Sequence, residues 1–350
     1  MKHTINGQKL IAVICAVFML FTLAGCGSGK TIVLTTCLKD NQIFQVENMY
    51  CTKPEMMVYL TNIQNSYEVV YGKDVWNTGS GDATLEDNLK ETVLARISRV
   101  KVLNLLADDL GLELTKEQKE LAKEAAKTYY NSLNKVELKA LDIDEKTICQ
   151  MYEEYCLAEE VYKYLIKDVN PEISDDEARS VTLEQIVVKN YHEDREGNIT
   201  PYSDEMKQNS YMKIKEAKAK LELGDSFDNV VLSYNQDSKS TLTFHRGEVD
   251  KDLEDLAFSM DTGEITDIIE RDDCYVIYKC VSAFNKDETE LNRKEMLDLR
   301  KEEAFYEEYD TFLNSLTGNL NEKQWSELTL IHEDAVTTCS FFDIYEDTFK

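Results

Sequence analysis

The sequence predicts an α+β protein in which a discontinuous helical domain is interrupted by an inserted domain of strands and helices. Apolar residues recur at helical spacing from Pro54 to residue 172. The period becomes strand-like at Val181 to Val188, just after Pro171 and the capping sequence Ser174-Asp-Asp-Glu177. A charged amphipathic helix then returns from Glu288 to Leu316, carrying Leu291, Met296, Leu299, Phe305, Tyr309 and Leu313 to pack on the first helical part.

The chain opens with Lys2 and Lys9, an uncharged apolar run from Leu10 to Leu23, and Leu23-Ala24-Gly25-Cys26. A positive start, a short apolar stretch and small residues before the cut are the parts of a secretory signal. The run is shorter than the roughly 20 apolar residues that span a bilayer. Its end resembles the lipobox of bacterial lipoproteins. That resemblance implies removal of residues 1–25, lipidation of Cys26, and a mature chain held extracytoplasmically on a bacterial cell membrane.

The mature chain, 350 minus 25 or 325 residues, exceeds the roughly 250 to 300 residues at which one core stops growing, so at least two domains are expected. Its formal charge moves from -28 to -30 as Lys2 and Lys9 leave, which makes nucleic acid and anionic lipid poor partners. Of nine cysteines, Cys15 leaves with the signal and Cys26 is acylated, so seven remain. Cys149 and Cys156 sit about 10 Å apart along a predicted helix. Cys274 and Cys280 sit about 20 Å apart along a predicted strand. Neither pair can form a bridge locally. Cys37 and Cys51 are the one pair that a hairpin would let face each other; buried free thiols are otherwise expected. The four histidines are scattered and no Cys-x-x-Cys occurs, so neither a metal nor a cofactor is expected.

In order, Thr31–Leu34 and Ile43–Val46 read as a small hairpin after the Gly27 to Gly29 linker. Met57, Leu60, Ile63 and Tyr67 mark a first helix, and Leu85, Leu89, Val93, Ile97, Val100 and Leu103 a second that ends at Gly111. Thr115-Lys-Glu-Gln118 starts a third. A fourth begins near Asp144 with Ile148, Met151, Tyr155 and Leu165 on one side. Gly79-Ser-Gly81 lacks the following Lys-Ser/Thr of a phosphate loop. The insert reads as strand 183–188, helix 204–223, a short helix after Phe227, strand 241–245, helix 253–260, and strands 265–269 and 275–281. The tail, with Leu328-Thr-Leu-Ile331 and Ser340-Phe-Phe-Asp-Ile344, has no clear place.

Residues 183–282 resemble the parvulin family of peptidyl-prolyl isomerases. Leu183-Glu-Gln-Ile-Val-Val188 matches its Ala-Arg-His-Ile-Leu-Val strand, and Ala217 to Gly224 with Phe227 its helix ending Gly-x-x-Phe. Phe244-x-x-Gly247 matches its Phe-x-x-Gly turn. Leu253-Glu-Asp-Leu-Ala-Phe258 with Gly263-Glu-Ile-Thr266, and Cys274-Tyr-Val-Ile-Tyr278, match its last helix, turn and strand. With the lipobox and flanking helices, the mature chain resembles extracytoplasmic foldases of the PrsA and SurA type. The resemblance implies a parvulin-like domain with a four-stranded antiparallel sheet and flanking helices. It divides the chain into a signal (1–25), linker and hairpin (26–53), helical chaperone-like domain (54–172), parvulin-like domain (176–284) and C-terminal helix and tail (285–350) packing back on the helical domain.

Rotation about an X–Pro bond meets a barrier of about 18 to 20 kcal/mol, so a catalyst must hold the twisted amide better than the planar one. The family uses two histidines, a Cys or Asp, and a Met and Phe lining a proline slot. Carried over by position, the histidines become Gln185 and Val276, the Cys or Asp becomes Asp237, and the Met and Phe become Val249 and Leu253, beside Phe244. Only Asp237 is retained. Gln185 can still exchange hydrogen bonds and Val276 cannot; Asp237 also reads as an ordinary loop carboxylate, and Val249 and Leu253 as core.

The resemblance therefore implies a membrane-anchored foldase or chaperone for unfolded exported polypeptides, its isomerase activity weak or lost. The alternative is an active isomerase using Asp237 and Gln185. Tyr59, Tyr67, Tyr71, Tyr129 and Tyr130 either grip peptides on a concave surface or lie in the core, as helical spacing favours. A homodimer is left open. A solute-binding lipoprotein is the remote alternative, since its repeated strand-Gly-helix units do not fit 13 Gly and long helices.

Overall fold

A computed structural model describes residues 38–77 and 84–350. The signal, Cys26, the glycine linker, the strand expected at Thr31 to Leu34, Cys37 and Gly79-Ser-Gly81 lie outside the described residues. The chain divides into two units: Met1–Asp168 with Ala304–Lys350, and Val169–Glu303.

The first unit starts with a hairpin, β1 (Gln42–Val46) and β2 (Met49–Thr52). The expected partner of β1 was Thr31 to Leu34. It pairs instead with β2 on one side and with β9 (Gly318–Leu320) on the other. The one-sided alternation that announces a strand is weak in Met-Tyr-Cys-Thr, which is why this strand escaped notice.

Five helices follow. Thr52 and Glu55 close a capping box on α1 (Lys53–Tyr71), with Pro54 in the first turn, where its missing N–H costs nothing. Thr84 and Asp87 do the same for α2 (Leu85–Leu110), which stops at Gly111 with φ 68°. Thr115 and Gln118 open α3 (Lys116–Ser132). The short α4 (Lys135–Leu141), capped by Asn134 and Glu137, was not anticipated. Asp144 caps α5 (Glu145–Ile166). Their inward faces, including Leu60, Val93, Ile97, Ala122, Ile148 and Met151, form one core.

That core also buries three charges. Lys101 Nζ lies 2.9 Å from Glu55 and 2.6 Å from Glu154. Burial opposes the charge on Lys101, but the two carboxylates outweigh it and hold its pKa above the ordinary value.

The second unit opens with α6 (Asp175–Ala178), one turn long. The capping box is only half formed: Ser174 accepts the N–H of Glu177, while the Glu177 carboxylate pairs with Arg300. The long β3 (Ser180–Lys189) runs centrally in an antiparallel sheet of order β6-β3-β8-β7, where β6 is Thr241–His245, β7 Ile269–Glu270 and β8 Cys274–Ser282. The expected strand at 265–269 shrinks to β7 plus a single bridge from Ile265 to Lys279. A small hairpin of β4 (Tyr191–Glu193) and β5 (Ile199–Pro201) fills what read as loop.

Helices cover both faces of the sheet. Ile186, Val188, Tyr275 and Ile277 pack on Ile214 and Ala217 of α7 (Asp204–Glu222) and on Phe227 and Val230 of α8 (Phe227–Tyr234). Val181, Leu183, Val187, Val276 and Cys280 face α9 (Lys251–Ser259).

Helix α10 (Lys286–Leu313) belongs to both units by sequence. Its early turns anchor β3, with Thr289 accepting the N–H of Ser180 and Asn292 donating to the carbonyl of Ala178. Phe305 and Tyr309 join the helical core, whereas Leu291 and Leu299, expected to pack, are 57% and 56% exposed.

The unplaced tail proves to be part of the first unit. After β9 and the short α11 (Glu322–Ser326), an irregular stretch leads to α12 (Phe341–Phe349). Phe341 stacks on Tyr152 with ring centroids 4.4 Å apart and meets Tyr59 and Tyr129 at 5.4 and 5.3 Å. Burying such a ring contributes about 1.5 to 3 kcal/mol. Tyr59 and Tyr129 are core residues, Tyr67 and Tyr130 are half-buried, and Tyr71 is exposed, so the five tyrosines do not share one surface.

Candidate functional site

Strand periodicity brings the predicted residues of the second unit to one face of the sheet. In the β3–β8 register Gln185 stands opposite Tyr278 and Val187 opposite Val276, and in the β3–β6 register Val181 stands opposite Phe244. Because side chains alternate faces, Gln185, Val276 and Tyr278 point to the same side. On that side Val276 is 1% exposed, Phe244 5% and Leu253 6%; the half-buried Val249 packs against the same cluster. The two slot positions, Val249 and Leu253, together with Phe244 and Val276, therefore take part in the packing between the sheet and α9.

Gln185 and Asp237 are brought together, though not in direct contact. The buried Gln185 donates Nε2 to the carbonyl of Lys239 at 2.9 Å. Asp237 Oδ1 accepts the N–H of the same Lys239 at 2.9 Å, an Asx-type turn that a loop carboxylate makes with its own backbone two residues on. The loop also borrows hydrogen bonds from β3: Asn235 accepts the N–H of Val187 at 2.9 Å, and Gln236 that of Lys189 at 2.8 Å. The region from 235 to 240 is thus fastened along the end of the strand, and both predicted polar groups help to fasten it.

Other polar groups on this face were not singled out from sequence. Tyr278, 3% exposed, has its hydroxyl pKa pushed up by burial, with the guanidinium of Arg271 beside it pulling the other way. Arg271 pairs with Asp250 at 3.1 Å. Asp250 also caps α9 by accepting the N–H of Leu253 at 3.0 Å, and these contacts hold its carboxyl below the usual range. Cys274 completes the row of alternate residues 274, 276 and 278. Burial and the neighbouring Asp273 push its thiol up to about 12, so it stays protonated and is no nucleophile at neutral pH. The alternation in Cys-Tyr-Val-Ile-Tyr was the signal that could have found Tyr278.

This face offers an apolar wall, one phenol hydroxyl and one amide. A cleft of about 520 Å³ in the same unit is lined by Asn170, Pro171, Glu172, Ile173, Arg293 and Leu297 and shares none of these residues. Among the described residues no group of three or more His, Cys, Asp and Glu could hold a metal ion, and no helix is long and apolar enough to cross a membrane.

Residues 196–282 match the family model of the PPIC-type peptidyl-prolyl isomerase domain, known as Rotamase. No curated protein matches the sequence. Among solved structures, PrsA from Bacillus subtilis shares 20% identity, over 76% of this chain and 96% of that one, with a TM-score of 0.25. Foldase protein PrsA from Lactococcus lactis shares 15%, over 87% and 98%, with a TM-score of 0.34. A structure described as a SurA-like chaperone of Campylobacter jejuni shares 11%, over 80% and 99%, with a TM-score of 0.30. At such scores the likeness says nothing about activity. The family match puts a parvulin-type domain at residues 196–282, within the second unit.

Proposed function

We propose that the chain is a membrane-anchored extracytoplasmic foldase for exported polypeptides, in which the parvulin-type domain contributes peptide binding and little or no isomerase catalysis. The observation that carries the second part is Val276. At the position where the family resemblance expects an imidazole, a fully buried valine packs against Val187 under α9. A valine neither donates to nor accepts from a twisting amide, so it cannot favour the transition state over the planar ground state. At the other family histidine position, the Gln185 amide is engaged by the Lys239 carbonyl. The lipobox-like sequence ending at Cys26 supports the anchor.

The test is refolding of a client limited by a trans-to-cis proline step, with aggregation followed in parallel, using residues 27–350. Suppressed aggregation with an unchanged proline phase is expected. Acceleration of the proline phase that Asp237→Ala abolishes would instead establish the second reading, an active isomerase. What favours that reading is the meeting of Gln185 and Asp237 on one residue, Lys239. Anchoring is tested separately: Cys26→Ser should move the full-length protein from the membrane to the soluble fraction.

A further inference from the structure

The sheet of the second unit ends on one side in β7, two residues long, and on the other in β6, which runs for five. An edge strand presents main-chain groups to solvent, and proteins commonly blunt it with shortness, proline, charge or a bulge. The β7 edge is short and runs straight into the charged turn Arg271-Asp272-Asp273. β6 reads Thr-Leu-Thr-Phe-His, with no Pro, Lys, Arg, Asp or Glu, and its register against β3 is unbroken from Thr241 to His245.

The register also fixes which main-chain groups face outward. Gln185 donates its N–H to the carbonyl of Ser240 at 2.8 Å, one step beyond the pairing of Glu184 with Thr241, so these two residues form a bonded pair. Bonded and non-bonded pairs alternate along an antiparallel ladder. Leu242 and Phe244 therefore turn their main chain toward β3, whereas Thr241, Thr243 and His245 turn theirs away. The close approach that marks a non-bonded pair is seen between Thr182 and Thr243, whose hydroxyls lie 3.0 Å apart. His245 is closed off from within the chain, because the Glu248 carboxylate accepts its N–H at 2.8 Å and its carbonyl accepts the N–H of Glu248 at 3.4 Å. Thr241 and Thr243 are exposed, and nothing among the described residues takes up their outward N–H and carbonyl groups.

Two donors and two acceptors spaced roughly 7 Å apart along a strand match the main chain of another extended polypeptide. On the α9 face the added strand would lie beside Leu242 and Phe244, which belong to the apolar cluster there. On the opposite face it would meet the side chains of Thr241 and Thr243, so a segment alternating apolar and small polar residues fits best. A second copy of this chain is the competing occupant. At a formal net charge of -28 two copies repel each other, whereas a neutral or basic segment meets no such opposition.

We propose that the open edge of β6 takes up an extended segment of unfolded polypeptide as an added strand, held through the main chain of Thr241 and Thr243. The source of that segment rests on the foldase reading; the edge itself requires neither isomerase activity nor a membrane anchor.

The probe is a labelled peptide that alternates leucine and threonine between terminal lysines, titrated into the full chain. Two N-methylated versions accompany it, one blocking the N–H groups of the leucines and the other those of the threonines. Only one of the two sets can face β6, so one version should bind at least tenfold more weakly than the parent peptide and the other like the parent. Binding should also slow hydrogen exchange at Thr241 and Thr243. In the protein, Thr243→Pro removes an outward N–H and leaves the bonds to β3 in place; it should weaken the parent peptide at least tenfold with unchanged circular dichroism. If that variant fails to fold, Thr243→Lys, which adds the charge that guards other edges, replaces it. Equal loss with both N-methylated versions, or loss with neither, overturns the proposal. Dimers that Thr243→Pro disperses, without peptide binding, also overturn it and give the edge to a second copy. A chain that suppresses client aggregation equally well with and without Thr243→Pro, and binds no probe, keeps the foldase reading and loses this one. Probe binding by a chain that suppresses no aggregation does the reverse.

Discussion

The two units bury different kinds of polar group: charges in the helical unit, and only neutral side chains such as Gln185, Thr289 and Asn292 in the other. The helical unit places Asn62, Gln64, Glu137 and the Lys101 triad inside its core and gives each of them partners. The parvulin-type unit carries Val276, Leu253 and Val249 on the face where its family resemblance leads one to expect catalytic and slot-forming groups. A buried polar group is retained against its desolvation cost only when something answers it. The difference teaches that the costly buried charges of this chain are confined to the helical unit, while the sheet is fastened by neutral groups such as Gln185, Asn235 and Asn292.

The sharpest way to break that comparison is Lys101→Ala, which leaves Glu55 and Glu154 buried without their cation. A loss of about 3 to 5 kcal/mol is expected in denaturant unfolding. A loss below about 1 kcal/mol, the scale of exposed pairs, would show that the triad is solvated and the contrast overstated.

Alkaline titration follows. Burial pushes the hydroxyls of Tyr129 and Tyr309 in the helical unit up to about 12. With folded pKa values above the unfolded value near 10, their contribution is complete below about pH 10 and is lost as pH rises through about 12. Lys101, also raised, acts in the same direction. Tyrosinate absorbance and loss of helical signal should therefore rise together in that window; ionisation of the buried tyrosines without unfolding would contradict it.

Next comes Gln64→Ala. It should cost about 1 to 3 kcal/mol, because Ile331 loses partners for both its N–H and its carbonyl. Smallest is Asp237→Ala, which removes one turn-type hydrogen bond for about 0.5 to 1.5 kcal/mol and should leave the proline-limited phase unchanged. A fall of about 100-fold in that phase, the lower end of what a placed acid or base supplies, would return Asp237 to catalysis.

Much of the fold was legible because its punctuation is local. Thr115 with Gln118, Gly111 and Asp144 each act within one turn of their own helix, and the strand at 241–245 lies where its alternation put it. Partnerships between distant segments were not legible. Nothing in Met49 to Thr52 states that it will pair with β1, and Leu328-Thr-Leu-Ile331 becomes intelligible only once Gln64 and Glu86 lie beside it. At the candidate site, the strands that carry Gln185 and Val276 could be read directly. That the Gln185 amide is taken up by the Lys239 carbonyl, and that Tyr278 faces the same side, depended on register and loop path.

The pairing of β1 with β9 also bears on how the molecule can be made. Phe44 meets Leu320 and Val46 meets Gly318, so a strand near the start of the described chain waits for one near its end. A chain emerging amino-terminus first would deliver the parvulin-type unit whole, free to fold at once, while the helices before it lack their third strand and Phe341. Long-range closure of this kind is slow and leaves apolar surface uncovered in the interval. The first unit would thus stay incomplete until the last residues of the chain arrive.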